Sequence, residues 1–194
     1  MSSFIARTYL KLGRWNLVEP PNDLPDRYVM VAAPHTTNWD FPLMLAITRA
    51  SGVRVSWLGK RSLFSGPMGP IMRGLGGIAV DRHAPGGMVA ALVAEFAKHE
   101  RLALLIPAEG TRSHTPFWKS GFYRIALEAD VPVVCGFLDG ATRTGGLGKV
   151  VTLSGDVGCD MDVLREFYGA KTGVKKGKAG PVRLKEESPE QPDQ

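Results

Sequence analysis

The stretch "APHTTNWDFP" (33–42) holds His35 and Asp40 with four residues between them, directly behind a hydrophobic run. A carboxylate that accepts a hydrogen bond from one imidazole nitrogen fixes the tautomer and stabilises the imidazolium. The other nitrogen is then left as a base. The intervening residues are enough to fold the loop back and bring the two side chains together. Read alone, the stretch fits a plainer arrangement better, with Asp40 capping a helix and His35 packing locally. Two later stretches shift the balance. "GGIAVDR" (76–82) ends in Arg82, and "PAEGTRS" (107–113) sets Glu109, Gly110, Thr111 and Arg112 side by side. Arginine binds phosphate through a fixed fork of N–H donors, and a glycine beside donors lets an anion come close. No G-x-S-x-G nucleophile elbow occurs, so the nucleophile falls to a hydroxyl of the substrate. Together the three groups describe a site for an anionic acceptor carrying a hydroxyl.

These residues need elements to position them. "RYVMVAA" (27–33) reads as a buried strand, and "FPLMLAITRA" (41–50) as a helix with Pro42 tolerated in its first turn. Further strands are expected at 53–59, 78–80, 102–108, 131–138 and 149–155, and helices at 87–100 and 122–129. Residues 62–77, rich in Gly and Pro, read as short helical turns within a loop. Strands alternating with helices predict an α/β fold: a single domain with a central mostly parallel or mixed sheet flanked by helices. His35, Arg82 and Glu109 then follow the C-terminal ends of strands, the edge where open α/β sheets bind ligands.

The remaining chain sets bounds. Its 194 residues are 44% hydrophobic and 22% charged, the balance of one folded domain. Cys135 and Cys159 form no disulfide framework or zinc pattern, and Cys135 lies in the apolar run "VPVVCGFL" as a core thiol. This usage fits a reduced, cytoplasmic setting. The N-terminus lacks the apolar core of a signal peptide, and no run reaches the length needed to span a bilayer. "GLGGIA" (74–79) fits G-x-G-x-x-A only formally, because it neither follows a strand nor opens a helix. No phosphate loop of the G-x-x-x-x-G-K-[ST] type occurs.

The net charge of +5 suits anionic lipid, phosphorylated small molecules or nucleic acid without choosing among them. Residues 1–18 project Phe4, Ile5, Tyr9, Leu12 and Trp15 on one helical face and Arg7, Lys11 and Arg14 on another. Such a helix either lies in a lipid interface or packs on its own domain. From Lys171 to Lys185 there are six basic residues and no acidic one, before an acidic close. We expect an amphipathic helix (1–18), a catalytic domain (19–170) and a flexible basic-then-acidic tail (171–194).

In order and spacing, His35-x4-Asp40, "GGIAVDR", "EGTRS" and "VPVV" resemble the four blocks of the PlsC-like glycerolipid acyltransferases, over roughly residues 28–140. The resemblance implies a glycerol-3-phosphate acyltransferase-like fold and transfer of a fatty acyl group in phospholipid biosynthesis. The donor would be an acyl thioester, acyl-CoA or acyl carrier protein. The acceptor would be a hydroxyl of a lysophospholipid or glycerol phosphate. It implies His35 as general base and Asp40 as its orienting partner. Arg82, Glu109, Gly110, Thr111 and Arg112 would hold the phosphorylated acceptor, with Lys60 as a further phosphate contact. Pro132 matches the fourth block, linked with the acyl donor. Neither a metal nor a redox cofactor is expected, nor a nucleic-acid partner; a membrane surface on the inner face of the cell is an expected partner of residues 1–18. Many members carry long hydrophobic N-terminal helices that this chain does not match. A non-catalytic lipid-binding relative and acylation of a non-glycerol lipid are the alternatives.

Overall fold

Seven strands form one sheet in the computed structural model, which describes residues 3–80 and 87–187. In chain order they are β1 (Asn16–Val18), β2 (Arg27–Ala33), β3 (Val55–Lys60), β4 (Gly77–Val80), β5 (Leu102–Pro107), β6 (Val133–Asp139) and β7 (Thr144–Val151). The spatial order is β1-β7-β6-β2-β5-β3-β4. Every pairing is parallel except β6 with β7, so the sheet is mixed. The helices are α1 (Ser3–Leu12), α2 (Asp40–Ala50), α3 (Met68–Gly74), α4 (Gly87–Lys98), α5 (Gly121–Glu128) and α6 (Val157–Tyr168). Short 3-10 turns occur at Arg61–Phe64 and Lys185–Glu187. The α/β expectation and the mixed, helix-flanked sheet are what the chain forms.

Strand β2 lies at the centre, paired with β5 and β6. Val29, Val31 and Ala33 face one apolar cluster, shared with α4, α5 and α6. Tyr28 and Met30 face the other, shared with α1 and α2. A strand covered on both faces reads as a continuous apolar run, which is why this one was legible. Cys135 is fully buried in β6, and burial pushes its thiol up to about 12, so it stays protonated.

Three elements differ from expectation. Helix α6 and strand β1 were not foreseen, and β7 starts at Thr144 rather than at 149. The start of β7 is glycine-rich because its neighbours come close. A Cβ on Gly145 would lie 2.4 Å from Ile47, and one on Gly148 equally near Phe167. Glycine there weakens the strand signal while permitting the packing. The C-terminal segment differs as well. Residues 171–187 do not leave the domain: Leu184 is buried, Trp118 N donates to Arg183 O at 2.8 Å, and Arg165 pairs with Glu187. Residues 188–194 lie outside the described part.

Helix α1 packs on α2 through Ala6 and Leu10, and Arg7 Nη2 donates to Ala50 O at 2.9 Å. The small Ala6 lets the two helices approach. Phe4, Ile5, Tyr9 and Leu12 therefore point outward. Among the described residues no helix is long and apolar enough to cross a membrane.

Candidate active site

The ends of β2 and β5 are neighbours, with Ala32 paired to Pro107, so the loops that follow them meet. His35 and Glu109 each follow two residues behind those ends. His35 Nδ1 lies 3.1 Å from Asp40 Oδ2. A carboxylate can only accept, so Nδ1 carries the proton and Nε2 of the neutral ring holds a free lone pair. The same Oδ2 accepts from the backbone N–H groups of Thr36 at 2.5 Å and Thr37 at 2.8 Å. Asp40 is buried, at 4% exposure, and three donors fix the position of that oxygen. Its other oxygen, Oδ1, is buried with no partner among the described residues. The helix-capping alternative takes a different form: Asp40 is the first residue of α2 and holds the preceding loop rather than the helix amides.

Glu109 departs from the expected phosphate contact. It is buried, and its two oxygens accept from His35 N at 3.1 and 3.0 Å. Burial raises its carboxyl to about 7, against partial compensation from the His35 N–H. Glu109 is thus placed to hold the backbone of the histidine. Gly110 follows with φ 65°, a conformation that favours glycine, and turns the chain so that Thr111 and Arg112 are exposed. Arg112 reaches back across to Asn38 Oδ1 in the histidine loop.

Two concavities adjoin this loop. One, about 100 Å³, is bounded by His35, Asp40 and apolar side chains including Phe41, Met44, Leu105 and Leu138. The other, about 330 Å³, is polar and basic, between Thr36–Asn38, Arg112 and Ser113 and the lysines Lys175 and Lys178. The arrangement offers a base between an apolar space and a cationic one.

The remaining expected residues divide. Lys60 ends β3 at the same sheet edge and is exposed, but borders neither concavity. Arg82 lies outside the described residues. Pro132 is at the opposite edge: its carbonyl accepts from Val29 N at 3.0 Å, while Ala33 pairs with Phe137. Four residues of strand, about 13 Å, separate it from the histidine end. It shapes the entry to β6 and is not a contact of this site. Sequence reasoning missed the Thr36 and Thr37 amides, which leave no trace in residue type. It also missed Lys175 and Lys178, whose charge was visible but was assigned to a tail.

No curated protein matches the chain. Among solved structures it is similar to the 1-acyl-sn-glycerophosphate (LPA) acyltransferase PlsC from Thermotoga maritima, with a TM-score of 0.56 and 16% identity. The match covers 86% of this chain and 73% of that one, and establishes a shared fold. The model of the family described as Acyltransferase matches residues 17–136, well over half of the chain, and spans the histidine loop and its partner loop. By that match and the fold, the chain belongs to the Acyltransferase family, as its PlsC-like motifs led us to expect.

Proposed function

We propose that the chain transfers a fatty acyl group from an acyl thioester, acyl-CoA or acyl carrier protein, to a hydroxyl of a lysophospholipid or glycerol-phosphate acceptor in phospholipid biosynthesis. The observation that carries this reading is the His35–Asp40 contact, lying between an apolar concavity and a cationic one. His35 Nε2 takes the proton of the acceptor hydroxyl, and Asp40 stabilises the resulting imidazolium. The acceptor oxygen attacks the thioester carbon. The tetrahedral oxyanion collapses, the carbon–sulfur bond breaks, and the imidazolium protonates the departing thiolate. The apolar space suits the first carbons of the acyl chain, having room for about three water-sized groups. Arg112 binds the acceptor's phosphate. The protein works as a peripheral enzyme on the inner face of the cell membrane, held by the outward residues of α1.

The test is free-thiol release from a long-chain acyl-CoA with a panel of lysophospholipids and glycerol 3-phosphate, followed by mass identification of the product. Acylated acceptor in stoichiometric yield with thiol is expected. Lipid binding with no thiol release from any donor would replace the enzyme by a non-catalytic relative.

A further inference from the structure

The basic segment after α6 is fastened to the loop that carries the histidine. Lys175 N donates to Thr36 Oγ1 at 3.0 Å, and Thr172 Oγ1 donates to Asp139 Oδ1 at 2.9 Å. Gly140 N donates to Gly173 O at 3.0 Å. Gly173 has φ 67°, and a Cβ there would lie 2.7 Å from the Thr36 methyl group, so only glycine fits this approach. The backbone thus delivers Lys175 and Lys178 to the basic concavity, where they meet Arg112. Among the described residues no acidic side chain lines that space and neither lysine has a carboxylate partner. The Thr36 and Thr37 amides beside it are already taken by Asp40. An anion there meets side chains rather than those two loop amides.

Three cations that share one small space repel one another, and an anion between them relieves that repulsion. A phosphomonoester carries about −1.5 to −2 charge near neutral pH. A phosphodiester headgroup carries a single negative charge and gains less. We infer that Lys175 and Lys178 form, with Arg112, the binding wall for the acceptor's phosphate, and that they select a phosphomonoester over a phosphodiester acceptor. The inference rests on the acyl-transfer reading for its substrate, though not for its anion. The fixing bonds of the segment come from backbone and from Thr172, so exchanging the two lysine side chains leaves them in place.

The experiment compares the intact chain with the double variants Lys175→Ala/Lys178→Ala and Lys175→Arg/Lys178→Arg. Thiol release from a long-chain acyl-CoA is followed with 1-acylglycerol 3-phosphate and with a lysophosphatidylglycerol. For the alanine variant, KM for the phosphomonoester rises about 10-fold or more, the loss of charged hydrogen bonds, with kcat little changed. The preference for phosphomonoester over phosphodiester falls with it. The arginine variant stays near the unaltered protein, and added salt weakens binding in all three. In parallel, glycerol 3-phosphate is titrated into each protein by calorimetry, which needs no turnover. Weaker binding only in the alanine variant supports the assignment even where no acceptor is acylated; that result would sink the acyl-transfer reading alone. An unchanged KM and Kd in the alanine variant overturns it. So does an equal loss in the alanine and arginine variants, or a fall in kcat at constant KM. Failure of the unaltered protein to bind glycerol 3-phosphate overturns it as well.

Discussion

His35 has one nitrogen committed to Asp40 and the other without a partner among the described residues, and the proposed chemistry needs that asymmetry. His35→Ala removes the proposed base, so kcat should fall about 10²–10⁴-fold, the usual contribution of a general base. Circular dichroism should show an unchanged fold. Retained turnover in a folded variant would remove His35 from the mechanism. Glu109 makes a separate prediction through pH. Its carboxyl is raised by burial from 4.5 to about 7, so between those values the folded protein holds a proton that the unfolded chain has lost. Folding stability from this group therefore declines as pH rises from 4.5 to 7, by up to about 3 kcal/mol, and is level outside that window. Glu109→Gln keeps an oxygen for the His35 N–H and has no proton to lose. Its stability relative to the unaltered protein should climb across that window in urea titrations. A constant difference would mean that Glu109 ionises at its ordinary value.

Among the elements, α1 shows most clearly that an amphipathic pattern does not say which face is covered. Its projection groups Phe4, Ile5, Tyr9, Leu12 and Trp15; the first four are left outside and Trp15 packs partly buried against the core, while Ala6 and Leu10 meet α2. Phe4 is 79% exposed and Leu12 81%, beside Lys11, a combination suited to a lipid interface. Phe4→Ser with Leu12→Ser leaves the packed side intact, so flotation with anionic liposomes should drop several-fold without loss of stability. Equal flotation of both proteins would free α1 of an anchoring role. The loop behind β2 shows the converse, since its shape comes from one carboxylate. Asp40 Oδ2 gathers His35 and two backbone amides, so the first helical residue organises the loop before it.

Over the whole molecule, two apolar clusters lie on either side of the sheet, and the C-terminal segment closes one of them. Leu184 is 1% exposed within the cluster beneath α5 and α6 and forms a parallel bridge with Trp118. Leu184→Ala should reduce unfolding free energy by about 2–4 kcal/mol, as large-to-small changes in a core do. Urea unfolding decides this, because a free tail would give no change. Tyr168 adds to the same closure: its hydroxyl lies 3.0 Å from Val31 O and 3.1 Å from Gly136 O, against adjacent strands.

The α/β class, the strands with continuous apolar runs, and the His35–Asp40 and Glu109–Arg112 groups as strand-end loops are legible from residue order alone. These are local patterns: apolar periodicity and residue type survive without knowledge of neighbours. Strand β1, with three residues, carries too little periodicity to be seen, and the glycines of β7 hide a strand behind the close approach of Ile47 and Phe167. That Glu109 faces inward to His35 N while Pro132 sits at the far edge is visible only in the folded chain. Both follow from the register of β2 against β5 and β6, a relation between residues distant in sequence. The fold also brings Lys175 and Lys178 beside Arg112. A glycine-broken basic run looks like a solvated tail until Gly173 and Thr36 are seen to fit together, and that fit exists only once the sheet has brought both to one edge.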